Sequence, residues 1–414
     1  MKVFKFGGAS VKDANGVKNL VKVLLHETVE NTLVVISAMG KMTNAFEEII
    51  DAYHQQNKEL SNKINFVERY HREIINELFD KDDEIYNEVN FLLGELSGFM
   101  AMNTSQNYNF IYDQLVGFGE LISTKIVSAY LTKVGITNNW IDVRDYIKTD
   151  SNHRDAKVNW ELTEDIIENK IDISVLNITQ GFLGGNNGKT TTLGREGSDY
   201  TAGIFAYCLN AESVTIWKDV EGVLNADPRV FKETKLLTQI SYNEAIEMAF
   251  YGASVIHPKT IQPLEKKRIP LYVRSFKDVK KSGTKVSKGV DLEPLIPCFI
   301  VKNNQILVSI SASDFSFMVE NNISYIFNKL HEYKLKGNLI QNSAISFSVC
   351  IEDKFNQFQQ FYNELKGSFK ITFNNNVTLF TIRHFNKESL QKIEKKGTVL
   401  LKQINRETAQ LVLK

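Results

Sequence analysis

The sequence predicts an α/β protein: a three-layer α/β/α domain over residues 1–280, then a smaller ferredoxin-like α+β region over residues 281–414. Three observations predict it. Apolar runs such as Leu33-Val34-Val35-Ile36 show no polar alternation, which suits parallel strands covered on both faces. Amphipathic helical stripes alternate with these runs, the order of βαβ units. Past Lys280-Lys281-Ser282-Gly283 the pattern changes to short strand–helix–strand units that recur weakly.

Taken in order, Val3 to Phe6 reads as a strand. Asp13 to Val29 carries Val17, Leu20, Val21, Leu24 and Leu25 at helical spacing. The Glu-, Lys- and Asn-rich stretch 43–109 reads as a helical excursion over the sheet edge, a candidate lid. Strands return at 140–143, 173–178, 214–217 and 271–273, with helices at 199–209 and 243–251 between them. In the C-terminal region, strands are expected at 306–310, 345–349, 377–382, 398–404 and 410–413, with helices at 323–330 and 388–395. These make two βαββ-type units, about 300–370 and 371–414, the second short.

The 414 residues suggest two or three domains. Lys+Arg and Asp+Glu are both 49, which leaves no electrostatic footprint for nucleic acid or an anionic membrane. An anion must therefore be held by a few placed groups. Three cysteines give neither a disulfide framework nor a metal-ligand spacing. Met1 to Phe6 runs straight into a strand, and no apolar run could span a bilayer, so a cytoplasmic location is expected.

Six stretches carry candidate chemistry. Gly7 and Gly8 follow the first strand, where absent Cβ atoms let a backbone approach a phosphate. Lys5 brings a cation to that turn, and Ser10 can cap the next helix. The same residues also suit a plain tight turn. Ser37-Ala38-Met39-Gly40 with Thr43 ends the second strand, where open sheets place ligands, or is a simple strand terminus. Glu120 opens an amphipathic helix, either as a dipole-compatible cap or as a seat for an ammonium group. The loop from Thr179 to Asp199 is rich in Gly, Thr and Asn and ends in Arg195, suited to a bidentate grip on a carboxylate. Ser198 then caps a helix that begins with Asp199. Trp217 to Arg229 offers Lys218 and Arg229 as cations for phosphates, or a surface loop. His257 precedes a proline and reads as a packed residue.

The order Lys5-Phe6-Gly7-Gly8-x-Ser10, Ser37-Ala38-Met39-Gly40, Gly119-Glu120, the Thr191–Asp199 loop and Asp227-Pro228-Arg229 resembles the aspartate kinases of the amino-acid kinase superfamily. The C-terminal third resembles their paired ACT domains. The chain looks monofunctional, because no homoserine dehydrogenase module follows. The resemblance implies transfer of a phosphoryl group from ATP, with Mg²⁺, to the β-carboxylate of L-aspartate, opening the route to lysine, threonine and methionine. It implies Lys5 on the transferred phosphoryl group, with Gly7, Gly8 and Ser10 lining the phosphates. Ser37, Thr43, Glu120, Arg195 and Ser198 would hold aspartate, Glu120 on its ammonium and Arg195 on its α-carboxylate. Asp199 would organise Lys5. Lys218, Asp219, Asn225 and Arg229 would border the nucleotide, and no side-chain metal site is implied. It also implies an amino-acid effector at the ACT-like region and a homodimer or higher homo-oligomer. A carboxylate nucleophile is already ionised at neutral pH, so no general base is needed. Three positions of the kinase region depart from the family pattern, Glu196, Ser254 and Leu224, and two of the ACT-like region, Asn338 and Asn322. An acetylglutamate or glutamate kinase, and a non-catalytic effector-binding subunit, are the competing readings.

Overall fold

In the computed structural model of the chain, which describes residues 1–27, 29–253, 256–314 and 316–414, the apolar runs become the centre of a mainly parallel sheet. In order come β1 (Lys2–Phe6), α1 (Ala14–Glu27), β2 (Thr32–Ile36), α2 (Met42–His54), α3 (Leu60–Leu78), α4 (Ile85–Met102), α5 (Tyr108–Val116), α6 (Phe118–Lys133), β3 (Asn138–Ile141), α7 (Val143–Tyr146) and α8 (Trp160–Lys170). Next are β4 (Leu176–Gln180), β5 (Leu183–Asn186), β6 (Lys189–Thr192), α9 (Gly197–Cys208), β7 (Ser213–Lys218), β8 (Gln239–Ser241), α10 (Tyr242–Tyr251), α11 (Pro258–Lys267), β9 (Leu271–Ser275) and β10 (Thr284–Ser287). Ser254 lies outside the described residues.

The sheet order is β3-β4-β2-β1-β7-β9-β10-β8, antiparallel only between β9 and β10. Every residue of β2 and β4 is buried, which accounts for their unbroken apolar or compact-polar character. The register pairs Phe6 with both Ile36 and Trp217, and Ile36 with Gln180. The C-terminal ends of β1, β2, β4 and β7 are therefore level at one sheet edge, where an open α/β sheet receives a ligand.

The helical excursion is not a loose lid. Phe46, Ile49, Val67 and Ile74 join Phe4, Phe6, Val34 and Ile36 in one hydrophobic core, so α2 and α3 are part of the domain. Two local expectations change. A one-turn 3-10 helix at Gly8–Ser10 precedes α1, and Asp13, not Ser10, receives the first helical N–H, that of Gly16 at 2.8 Å. The Ser10 hydroxyl turns instead to the carbonyl of Trp217. The 179–199 loop contains a β-hairpin, β5 with β6, around Asn187-Gly188; both turn residues have positive φ, the type I′ pattern.

The chain divides into two compact units. The first comprises Met1–Val223, Leu236–Ile246 and Val255–Leu292, and the second Leu224–Lys235, Glu247–Ser254 and Glu293–Lys414. The expected boundary near residue 280 thus stands beside an observed one at Leu292.

The second unit continues with β11 (Cys298–Ala312), α12 (Glu320–Glu332), β12 (Lys336–Asn342), β13 (Ser346–Glu352), α13 (Phe358–Leu365), β14 (Phe369–Arg383), α14 (Lys387–Glu394), β15 (Val399–Ile404) and β16 (Thr408–Leu413). They form one six-stranded antiparallel sheet, β12-β13-β11-β14-β16-β15. Its two ferredoxin-like, ACT-like halves are nested. Leu307–Ala312 pairs with Phe369–Asn374, whereas Cys298–Lys302 pairs with Leu379–Arg383, and a register shift separates the two stretches. The second half therefore borrows its first strand from the start of β11, which is why residues 371–414 look short in sequence. Val308, Ile326, Phe347 and Phe361 core one half, and Ile382, Ile393 and Leu411 the other.

Candidate active site

Lys5 is the one charged residue of β1 outside its first position, and it is buried. Its Nζ lies 2.6 Å from Asp199 Oδ1, an ion pair met off the hydrogen-bond direction. Lys218, the last residue of β7, places its Nζ 3.8 Å from Asp199 Oδ2. Burial would raise the Asp199 carboxyl, but the two ammonium groups outweigh it and hold the group below the usual carboxylate range. Two cations on one buried carboxylate leave this corner electropositive. A Cβ on Gly7 would stand 3.4 Å from Lys5 Nζ, so the Gly-Gly turn adjoins the same ammonium. Gly8 cannot carry a side chain: its Cβ would meet the carbonyl oxygens of Ala38 and Gly40 at 2.6 Å. The turns after β1 and β2 are tied by Gly40 N–H donating to Gly8 O at 3.0 Å.

Glu120, in the first turn of α6, is 2% exposed. The Ala38 N–H donates to its Oε1 at 3.4 Å, while its buried Oε2 has no hydrogen-bond partner. Burial pushes its carboxyl up to about 8, against the lowering pull of that N–H and of Lys5. A buried carboxylate with an unpaired oxygen is costly until a cation reaches it.

The third wall comes from the segment after β4. A Cβ at Gly181 would overlap Ser198 Cβ at 2.4 Å, so glycine lets the strand end touch the start of α9. Ser198 is consequently buried inside the first turn of α9, and Glu196 stands at the N-cap without a capping side-chain bond. Glu196 holds φ at 54°, a left-handed value that glycine tolerates better. Arg195 beside it is exposed, and among the described residues no hydrogen bond or ion pair holds its guanidinium.

These groups enclose a cavity of about 480 Å³. It brings together Lys5, Ser37, Thr43, Glu120, Arg195, Ser198, Asp199 and Lys218 of the residues expected from sequence. Gly7, Gly8, Ser10 and Asp219 do not line it. Asn225 and Arg229 belong to the second unit. There the Asn225 side chain accepts from Lys235 N–H and donates to Pro297 O, and Arg229 is clamped by Asp227 through three hydrogen bonds of 2.7–3.1 Å. Six further residues line it: Tyr112, Arg154, Phe182, and Gly194, Glu196 and Gly197 of the loop before α9. Phe182 lay within the recognised loop. Tyr112 and Arg154 sit in stretches with no glycine or strand-end signal. His257 caps α11 by accepting from Lys259 N–H.

The amino acid kinase family profile matches residues 1–275. Lysine-sensitive aspartokinase 3 of Escherichia coli (strain K12) is 31% identical over 359 residues, covering 84% of this chain and 78% of that protein. The chain belongs to the aspartokinases of the amino acid kinase family. A bifunctional aspartokinase/homoserine dehydrogenase 2 of Arabidopsis thaliana is 30% identical, and the chain spans only 39% of its length. The solved E. coli aspartokinase III with lysine and aspartate superposes over all of this chain and 96% of that one, with a TM-score of 0.83 at 27% identity. The same enzyme solved with aspartate and ADP gives 0.82 at 26% identity. The match to the aspartokinase structures covers the residues of each unit, including the ACT-like sheet. Among the described residues no helix is long and apolar enough to cross a membrane.

Proposed function

We propose that the protein transfers the γ-phosphoryl group of ATP to the β-carboxylate of L-aspartate, giving 4-phospho-L-aspartate and ADP. The observation that carries this reading is the buried, unpaired Oε2 of Glu120 in a cavity that also holds the Lys5–Asp199–Lys218 cluster. Such a cavity has a carboxylate for an ammonium group, a guanidinium for a carboxylate, and lysines for a phosphoryl group. An amino acid with a second carboxylate fits that set.

Glu120 receives the substrate ammonium, Arg195 the α-carboxylate, and Ser37, Thr43 and Ser198 supply hydroxyls around the bound amino acid. A β-carboxylate oxygen attacks the γ-phosphorus, the bond to the β,γ-bridging oxygen breaks, and ADP leaves with that electron pair. No proton moves, since the nucleophile is ionised. Catalysis is positioning and charge neutralisation: Lys5 strengthens its contact as charge shifts onto the phosphoryl oxygens, while Asp199 holds Lys5 in place. The Gly7-Gly8 turn and Ser10 adjoin the phosphates, and Lys218 and Asp219 border the nucleotide. Asn225 and Arg229 are retained as proposed nucleotide-binding residues, which substitution of each with measurement of the ATP KM tests.

Mg²⁺ normally binds one or two carboxylates together with substrate phosphates. Asp199 is taken by two lysines, and among the described residues no group of three or more His, Cys, Asp or Glu is placed to hold a metal. Mg²⁺ bound with ATP would supply charge neutralisation at the phosphates, and no side chain is assigned to it. The ACT-like unit is proposed to bind an amino-acid effector, and a homodimer would pair through the sheet edges β12 and β15. Gel filtration with and without lysine or threonine tests both.

The activity test is incubation with MgATP and L-aspartate, trapping the acyl phosphate with hydroxylamine. Hydroxamate from aspartate is the expected result. Hydroxamate from acetylglutamate or glutamate alone overturns the substrate, and no product from any amino acid points to a regulatory subunit.

A further inference from the structure

Arg154 is a second guanidinium in the cavity, outside every motif that carried the family resemblance. Its backbone holds φ at 69°, a left-handed value that disfavours a residue with a Cβ. A buried carboxylate keeps it there. Both Asp113 oxygens accept the Arg154 N–H, at 3.1 and 3.2 Å, and the same carboxylate binds His153 Nδ1 at 2.8 Å and the Thr192 hydroxyl at 2.7 Å. Asp113 thus fastens residues 153–154 to α5 and β6.

The side chain is oriented but unpaired. The guanidinium lies 4.1 Å from the Tyr112 ring centre and 5.7 Å from that of Tyr108, a stacking that fixes the plane of its donor fork. Acids near these rings are occupied: Tyr112 donates to Glu47 at 2.9 Å and Tyr108 to Asp51 at 2.6 Å. The neighbouring Asp155 pairs with Lys259. Among the described residues no carboxylate binds the Arg154 guanidinium. A strained backbone, a buried anchor and an aromatic rest converge on a guanidinium that is exposed at the cavity and bound by no carboxylate of the described residues.

We propose that Arg154 binds the α-carboxylate of the amino-acid substrate together with Arg195 and thereby sets specificity for it. This rests on reading the cavity as an aspartate site. The phosphoryl end is served by Lys5 and Lys218 on Asp199. Tyr112, on which Arg154 rests at 4.1 Å, lines the cavity together with Glu120, and we take this guanidinium to serve the ammonium end. The α-carboxylate shares its carbon with the ammonium group, so it lies on that side too.

The test uses the full chain in the hydroxamate assay, with Arg154→Gly and Arg154→Lys, because glycine accepts the left-handed backbone. Arg154→Gly should raise the aspartate KM about 10- to 100-fold, as for loss of a charge-assisted bidentate contact, with kcat within about 3-fold and ATP KM unchanged. Its melting temperature should hold or rise. Arg154→Lys should recover only part of the affinity, lacking the planar fork. Calorimetric Kd values for L-aspartic acid α-amide should differ by less than about 2-fold between wild type and Arg154→Gly, since the amide lacks the anionic partner. An unchanged aspartate KM overturns the proposal, as do an equal loss on the α-amide or a fall in kcat and melting temperature together. Failure of the wild type itself to form aspartyl hydroxamate overturns the aspartate reading, and this inference with it, before any variant is compared.

Discussion

Lys5, near the end of β1, and Asp199, in the first turn of α9, form a nearly buried ion pair at 2.6 Å, with Lys218 on the other carboxylate oxygen at 3.8 Å. The pair joins a strand end to a helix start at the sheet edge where β1, β2, β4 and β7 finish level.

Lys5→Ala should lower kcat by about 10²- to 10³-fold and leave aspartate KM within about 3-fold, because the contact strengthens as charge develops. Steady-state kinetics check this; a variant with wild-type kcat and a raised aspartate KM would contradict the role given to Lys5. The variant should also lose up to about 3 kcal/mol of stability at pH 7. The Asp199 carboxyl is depressed in the fold, so its stabilising contribution is present above its ordinary value of 3.8 and lost as pH falls through the folded value. Denaturant melts at pH 7 and pH 3 should show the gap between wild type and variant closing in acid.

Aspartate binding should release a proton from Glu120. With its carboxyl pushed up to about 8, the group is mostly neutral at pH 7 and must ionise to meet an ammonium. Calorimetry in buffers of different ionisation enthalpy should read net proton release on aspartate binding at pH 7, shrinking as pH passes 8, and none in Glu120→Gln. The sign for the unliganded fold is opposite to that of Asp199: a raised carboxyl costs stability as pH climbs from 4.5 to about 8. Proton uptake, or no exchange at pH 7, would rule this out.

Glu196→Gly should stabilise the first unit by about 1 kcal/mol, since glycine adopts φ 54° without penalty and the buried Glu196 Oε2 lacks a hydrogen bond. A melting temperature a few degrees higher is the expected reading, and a lower one would show that Glu196 makes a contact worth more than its strain.

Gly181→Ala should cost activity more than stability. Its methyl would overlap Ser198 at 2.4 Å and push the start of α9, carrying Asp199 away from Lys5. A misplacement near 1 Å is worth about 10²-fold in rate. Activity within 3-fold of wild type would mean that the helix start yields without moving the pair.

Much of this was legible because burial writes itself locally. The apolar runs at Leu33–Ile36 and Val214–Trp217 announced parallel strands, and the helical stripe from Val17 to Leu24 announced α1. Asn187-Gly188 is a hairpin signal, masked in the sequence by the surrounding glycine-rich loop. In the second unit, β12 (Lys-Gly-Asn-Leu-Ile-Gln-Asn) buries only Leu339 and left no alternating pattern to find. Helix α13 has only eight residues, so Phe358, Phe361 and Leu365 along its buried face make a short periodic signal.

By itself the sequence determined the order of strands and helices, the family, and eight of the cavity-lining residues, because motifs and periodicity lie in contiguous residues. Only the tertiary structure decided which of them meet. Level strand ends bring Lys5 to Asp199, burial leaves Glu120 Oε2 without a partner, and the Asp113 anchor holds Arg154 at the cavity. Those relations join residues far apart in the chain, and no local pattern carries them.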